Sequence, residues 1–222
     1  MGRQRAAGNG LVSIRAHSCF WRSNSRRHCQ SRSRWCIAGL SRSHCHRRLC
    51  LRFTGTCYRA HDPRWAYAPL SGAGAALRGA RFNAKGIPAL YLGVTLETAI
   101  LEANQGFAHK IDPCTLCAYD VDCDDIADLR DEAGRKYLGV SLGDMACAWS
   151  SDLAGGLTPP SWTLANLMIA QGLAGILAPS FANRATPNHQ NLVLWKWGKD
   201  LPHQVNVVDP QGRLPKDQSS WQ

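Results

Sequence analysis

The stretch Pro88-Ala89-Leu90-Tyr91-Leu92-Gly93-Val94 predicts a strand, because large apolar residues occupy every second position. The alternation gives the strand one core face, formed by Leu90, Leu92 and Val94. The opposite face carries Tyr91 between two small residues, Ala89 and Gly93, which leaves room for a flat ligand to stack on the ring. A half-buried tyrosine with its hydroxyl in water explains the pattern equally well, so both interpretations stay open.

The strand leads into a predicted helix over 96–107, with Thr95 as a plausible N-cap. Its apolar residues form one stripe at helical spacing: Leu96, Ala99, Ile100, Ala103 and Phe107. Glu102 lies off this stripe. Helical geometry alone therefore places its carboxylate in solvent and favours a surface role over a catalytic one.

Outward from this pair, predicted strands and helices interleave irregularly. Further strands are expected at 51–59, 117–123 and 191–197, with one more in the tail, and helices at 124–139, 141–149 and 161–171. Ser161 is the expected cap of the last helix and Gly172 its stop, while Gly86 supplies the left-handed residue of a turn over 81–86. This order predicts an α+β domain over 51–222, with a mixed sheet and flanking helices.

The basic character of the chain belongs to its first quarter. The formal net charge is +10, but residues 1–57 hold 12 of the 26 Lys and Arg and none of the 16 Asp and Glu. Residues 58–222 are therefore close to neutral. Nucleic-acid binding by this main part of the chain has no electrostatic support.

Residues 1–50 are rich in Arg, Ser, Cys, His and Trp and show no sustained apolar period. So many like charges with few aliphatic side chains cannot bury enough surface to offset the entropy of ordering. We expect a disordered extension, of the kind that a wrongly chosen translation start adds. A zinc site is disfavoured because no Cys-x-x-Cys pair occurs in this stretch, whereas a basic nucleic-acid arm and a transit peptide stay open as alternatives.

No stretch approaches the roughly 20 apolar residues of a membrane span, and the N-terminus lacks the apolar core of a secretory signal. We therefore expect a cytoplasmic protein with reduced thiols and no membrane association. Cys114 and Cys117 form a lone pair that strand alternation points to opposite faces, so no metal site is expected.

Four polar residues are candidates for chemistry. Arg59 and Arg81 flank loops, where a guanidinium can clamp a pyrophosphate, although each alone is more often a surface charge. Ser180 follows the apolar run over 173–178, which is expected to form a strand. It lacks a Gly-x-Ser-x-Gly motif, which favours a binding or orienting role over a nucleophilic one. Asn191 begins the next strand and is suited to capping or binding. Because neither a Gly-x-Gly-x-x-Gly nor a P-loop lysine motif occurs, Rossmann and phosphoryl-transfer sites are disfavoured.

In order and spacing, five short motifs resemble the RES-domain family, which is named for its Arg, Glu and Ser. They are Tyr58-Arg59; Gly79-Ala80-Arg81-Phe82-Asn83; Ala89-Leu90-Tyr91-Leu92-Gly93; Glu97-Thr98-Ala99-Ile100-Leu101-Glu102; and Pro179-Ser180 with Asn191-Leu192-Val193-Leu194. Each motif is weak alone, but the five together are specific and span about 51–205. Two departures are Ala80 in place of a second glycine, and Phe181 between Ser180 and the later Arg184.

The resemblance implies an ADP-ribosyltransferase-like fold, NAD as a substrate without any bound cofactor, and a toxin paired with a small Xre-like antitoxin. It assigns catalytic roles to Arg59, Tyr91 and Glu102, and substrate binding to Arg81, Ser180 and Asn191. The implied reaction breaks the nicotinamide–ribose bond through an oxocarbenium-like state, which a carboxylate stabilises. Transfer of ADP-ribose to a protein or other acceptor would use the same residues. A third alternative is a nucleic-acid-binding protein that uses the basic arm.

Overall fold

A computed structural model of the chain describes residues 50–104 and 112–219. The disordered extension expected over 1–50 lies outside the described residues, except for Cys50, which begins the first strand. Phe107, expected near the end of the helix after Tyr91, also lies outside them.

The described residues contain six strands and six α-helices. The strands are β1 (Cys50–His61), β2 (Leu90–Gly93), β3 (Thr115–Asp128), β4 (Gly175–Pro179), β5 (Gln190–Leu194) and β6 (His203–Val207). The helices are α1 (Ala73–Arg78), α2 (Leu96–Ala103), α3 (Glu132–Leu138), α4 (Leu142–Met145), α5 (Trp149–Ala154) and α6 (Pro160–Ala170). The loop after β1, which the sequence left unassigned, holds a short 3-10 turn at Pro63–Trp65 as well as α1.

The strand pairings close into a ring of five strands. The order is β1-β2-β5-β4-β3, and β3 pairs back along nearly the whole of β1, from Cys50 opposite Ala127 to His61 opposite Thr115. The β3–β4 pair is parallel and the others are antiparallel, with β6 added to β3 outside the ring. The predicted mixed sheet with helices is therefore confirmed. Its ADP-ribosyltransferase-like character stays a prediction.

Two apolar clusters pack on the two faces of β2. Leu90 and Leu92 are buried in one cluster, as the alternation predicts, and Val94 packs against its margin. Ala89 and Tyr91 belong to the other cluster, together with the buried Phe82, Val193 and Trp195. The strand therefore has core on both sides, and the face that carries Tyr91 is not a solvent face.

Helix α2 is turned differently from the expectation. The structure buries Thr98 and Ala99, while Leu96 at the start of the predicted stripe is 45% exposed. The reason is a close approach between α2 and β2, because a Cβ added at Gly93 would lie 2.6 Å from the backbone nitrogen of Ala99. This packing brings the face with Glu102 toward the sheet, so the placement of its carboxylate in solvent was wrong.

Three local predictions also differ from the structure. The segment 124–128, expected to be helical, extends β3 because its pairing with β1 and β4 continues there. Ser161 is not a helix cap, since α6 begins at Pro160 and the buried Ser161 hydroxyl accepts a hydrogen bond from the Cys147 thiol. The helix expected over 141–149 is divided into α4 and the start of α5.

Candidate active site

A cavity of about 470 Å³ opens beside β2. Its wall combines β1, β2, α2 and β5 with the turn before β2 and the loop after β4. Five of the six residues singled out in the sequence line it: Arg59, Arg81, Tyr91, Glu102 and Asn191. The sixth, Ser180, is buried at the end of β4 and contacts Glu102.

Two uncharged donors fix the carboxylate of Glu102. Ser180 Oγ donates a hydrogen bond to Glu102 Oε1 over 2.5 Å, and Asn191 Nδ2 donates to the same oxygen over 2.5 Å. Ser180 Oγ also accepts a bond from the amide of Ala182, which orients its hydroxyl toward Glu102. Because neither donor carries a positive charge, the carboxylate is held in place without an ion pair from these two residues.

Tyr91 is anchored through its hydroxyl. The hydroxyl accepts a hydrogen bond from the backbone N–H of Phe82 and donates one to Asn83 Oδ1, at 3.0 and 2.8 Å. Burial is the main cause that raises the pKa of Tyr91 above its usual value. The alternative of a hydroxyl in water is therefore wrong, and the tyrosine joins β2 to the turn that carries Arg81.

Asn83 organises that turn from inside. It is fully buried, and its Nδ2 group reaches the carbonyls of Ala75 and Ile87, each at 2.9 Å. Two tryptophans hold the turn from outside: Trp162 Nε1 donates to Ala80 O, and Trp195 Nε1 donates to Phe82 O. The turn is thus tied to three other parts of the fold, which fixes the direction of Arg81.

The Arg81 guanidinium is held between carbonyls and an aromatic ring. Nη1 donates to Met145 O at 3.1 Å and to Cys147 O at 2.7 Å, and the group lies 4.9 Å from the centroid of the Phe181 ring. Burial lowers the pKa of Arg81, and the nearby Cys147, Glu102 and Tyr91 oppose that shift. The group stays protonated, as arginine does in proteins.

Arg59 lines the cavity from β1. Its Nη1 donates to Ser71 O at 3.3 Å, and burial lowers its pKa from the usual value. Both arginines thus face one cavity that also holds a carboxylate, and burial makes their charges act more strongly there than in water. The arrangement suits a ligand that carries both phosphates and a developing positive charge.

A family model, described as RES domain, matches residues 56–217 of the 222-residue chain. The chain belongs to the RES domain family. The match extends from the second half of β1 to a point beyond β6 and includes every residue of the cavity named above. Membership is consistent with a toxin-like, NAD-related function, and RES domains are associated in general with NAD and antitoxin partners. No curated protein matches the chain.

The RES domain has cavity residues that the sequence did not single out. Trp149 at the start of α5, together with Phe181 and Asn183 after β4, lines the wall. Phe181 directly follows Ser180 and was visible as a departure from the family pattern, whereas no sequence signal marked Trp149. Arg184, the arginine nearest to Ser180 along the chain, is exposed and does not line the cavity.

Among residues 50–104 and 112–219 of the RES domain, no group of three or more His, Cys, Asp and Glu side chains is placed to hold a metal ion. Cys114 is exposed and Cys117 is buried, in keeping with their expected opposite directions. In the same part of the chain, no helix is long and apolar enough to cross a membrane.

Proposed function

We propose that this RES domain breaks the bond between nicotinamide and ribose in NAD and passes the ADP-ribose to water or phosphate. The observation that carries the proposal is the Glu102 carboxylate, fixed by Ser180 and Asn191 in a cavity that two arginines also line. This combination matches the charge of NAD, which has an anionic pyrophosphate and a cationic nicotinamide ribosyl group.

In this reaction the bond between the anomeric carbon and the nicotinamide nitrogen breaks, and its electron pair stays on the nitrogen. Nicotinamide leaves as a neutral molecule, so its departure needs no proton. The sugar left behind has oxocarbenium character, and the negative charge of Glu102 stabilises it or holds the ribose hydroxyls. Because the carboxylate is held before substrate arrives, little reorganisation is needed as charge develops.

An oxygen atom then bonds to the anomeric carbon. With water the products are ADP-ribose and a released proton, and with inorganic phosphate the product is ADP-ribose 1-phosphate. Arg59 and Arg81 hold the pyrophosphate, and Ser180 positions Glu102 from outside the cavity wall. The Tyr91 ring supports stacking of the nicotinamide, while its bonded hydroxyl keeps the ring at a fixed angle.

Purified protein incubated with NAD tests the proposal. We expect nicotinamide to be released in the absence of any protein acceptor, and product analysis with and without phosphate identifies the attacking group. Release that occurs only when cell extract is added supports ADP-ribosyl transfer to an acceptor instead. No release under either condition contradicts both reactions.

We further propose that the protein acts as the toxin of a toxin–antitoxin pair with a small Xre-like partner. Its family membership supports this role. Induced expression in bacteria is expected to lower cellular NAD and arrest growth, and a Glu102→Gln variant made at the same level is expected to do neither. Growth arrest by both proteins to the same extent contradicts a role through NAD.

A further inference from the structure

Three successive carbonyls between β1 and α1 each accept a hydrogen bond from a different side chain. Tyr119 Oη donates to Pro69 O and Trp197 Nε1 to Leu70 O, each at 3.0 Å, and Arg59 Nη1 donates to Ser71 O at 3.3 Å. We name residues Pro69–Gly72 the arginine anchor. The anchor is therefore fixed at two points, by a side chain from β3 and by one from the segment after β5, and its third carbonyl accepts the bond from Arg59.

Tyr119 is itself fixed by a buried histidine. Tyr119 is fully buried, and its single hydroxyl proton is donated to Pro69 O. The Tyr119 hydroxyl therefore accepts its second hydrogen bond from His61 Nε2. Burial and the neighbouring Arg59 charge lower the pKa of His61 to about 4, which keeps the imidazole neutral near pH 7. The two hydrogen bonds therefore run in one direction: His61 donates to Tyr119, and Tyr119 donates to the anchor.

Gly72 lets the anchor lie close to Trp197 and to β2, because it has no side chain. A Cβ added there would lie 2.7 Å from the Trp197 ring and 3.0 Å from the backbone nitrogen of Ala89. By contrast, a Cβ added at Gly74, two residues on, would meet nothing within 4 Å. The chain after the anchor forms α1 and then the turn with Arg81. The anchor therefore lies between the two cavity arginines in the sequence.

We infer that the arginine anchor is a positioning element for substrate binding, and that Tyr119 positions the Arg59 guanidinium through Pro69–Ser71. The inference rests on the proposed function, because it takes Arg59 as a ligand for the NAD pyrophosphate. A guanidinium that is held before binding loses less rotational freedom when it binds a phosphate, so the anchor contributes to affinity without contacting the substrate. Tyr119 and Trp197 do not line the cavity.

The test compares Tyr119→Phe and Gly72→Ala with the matched control Gly74→Ala. The first variant removes one hydrogen bond to the anchor, and the second pushes the anchor against Trp197. For both we expect the KM for NAD to rise about 3- to 10-fold with kcat nearly unchanged, because a uniform binding interaction is weakened. Gly74→Ala is expected to keep both constants.

A double-mutant cycle separates positioning from a general loss of structure. Arg59→Ala alone is expected to raise the KM, and adding Tyr119→Phe to it is expected to raise the KM no further, because the effect of Tyr119 acts through Arg59. Additive increases in KM overturn the inference. They would mean that Tyr119 affects binding by a route that does not pass through Arg59.

A measurement without NAD distinguishes this inference from the proposed function. In ¹⁵N-labelled protein, exchange of the Arg59 guanidinium protons with water is expected to speed up at least about threefold in Tyr119→Phe and Gly72→Ala, and not in Gly74→Ala. If the unmodified protein neither binds nor cleaves NAD but these exchange rates change as expected, the proposed function fails and the positioning role stands. Unchanged exchange rates in both variants overturn the positioning role, whatever the activity.

Discussion

Ser180 Oγ lies 2.5 Å from Glu102 Oε1, although the two residues are 78 positions apart in the sequence. The contact joins the end of β4 to α2 at a single carboxylate. Asn191, on the neighbouring strand β5, reaches the same oxygen. The position of the carboxylate therefore depends on α2, on β5 and on the end of β4. Substitutions at Glu102, Ser180 and Asn191 test the site directly.

Glu102→Gln should reduce the turnover of NAD by about 100- to 1000-fold while the protein stays folded, because the amide no longer offers negative charge to the sugar cation. Nicotinamide release, measured at saturating NAD, checks the rate, and circular dichroism checks the fold. The matched control is Glu97→Gln, on the exposed first turn of the same helix, which should keep normal turnover. Near-normal release by Glu102→Gln would remove Glu102 from the mechanism.

Ser180→Ala should lower kcat by about 10- to 100-fold, since a hydrogen bond to a charged group is worth about 1.5 to 3 kcal/mol. Asn191→Ala should have an effect of similar size. Because both residues act on one oxygen, the double variant should lose less than the product of the two separate losses. A fully multiplicative loss would show that the two residues act independently of each other.

Arg81→Ala should lower both stability and NAD affinity. Its guanidinium bonds to the carbonyls of Met145 and Cys147 and lies over Phe181, so we expect a loss of about 1 to 3 kcal/mol in the free energy of unfolding. Urea denaturation measures this loss. Arg78→Ala, at the exposed end of α1, serves as control and should change the stability by less than about 0.5 kcal/mol.

Acid should weaken the fold through His61. Its pKa is lowered from 6.5 to about 4, so above pH 6.5 the imidazole is neutral in the folded and unfolded states alike. As the pH falls from 6.5 toward 4, the unfolded chain binds a proton that the folded chain does not, and stability decreases. Between pH 7 and pH 5 we expect this residue alone to cost about 2 kcal/mol.

The measurement for His61 is urea denaturation at both pH values, with His61→Gln as the comparison. The variant should lose about 2 kcal/mol less than the unmodified protein between pH 7 and pH 5. An NMR titration that placed the pKa of His61 near 6.5 in the folded protein would contradict the argument.

Gly93→Ala should displace α2, because the added methyl would lie 2.6 Å from the backbone nitrogen of Ala99. We expect a stability loss of about 1 to 3 kcal/mol, typical of overpacking, together with a drop in kcat as Glu102 moves from its donors. Gly198→Ala, where a Cβ would meet nothing within 4 Å, is the control and should preserve both properties. Normal turnover by Gly93→Ala would mean that the close approach of α2 to β2 does not position Glu102.

The sequence predicted those parts of the fold in which burial follows local periodicity. Alternation identified Leu90 and Leu92 as core, and the strand predicted over 117–123 forms the middle of β3. Gly172 follows the C-cap of α6 and has a φ of +94°, as expected of a residue that stops a helix. In each case the neighbours that decide the outcome lie within a few residues of the position.

Prediction was less successful where distant parts of the chain decide the outcome. The orientation of α2 depends on a missing side chain at Gly93 rather than on the helix's own apolar stripe. The hydroxyl of Tyr91 is bonded by a turn eight or nine residues earlier, and no periodicity indicates such a contact. Pattern analysis alone placed Glu102 in solvent, and only the family resemblance singled it out.

The candidate site is assembled from nearly the full length of the domain, with Arg59 on β1 and Asn191 on β5 as its extremes. Because β5 supplies four paired residues to β2, a growing chain that has not yet left the ribosome past Leu194 lacks the main neighbour of the strand that carries Tyr91. Under the proposed function, a polypeptide that still lacks β5 therefore has no complete site for NAD. The proposed activity would thus begin only after Leu194 has joined the fold.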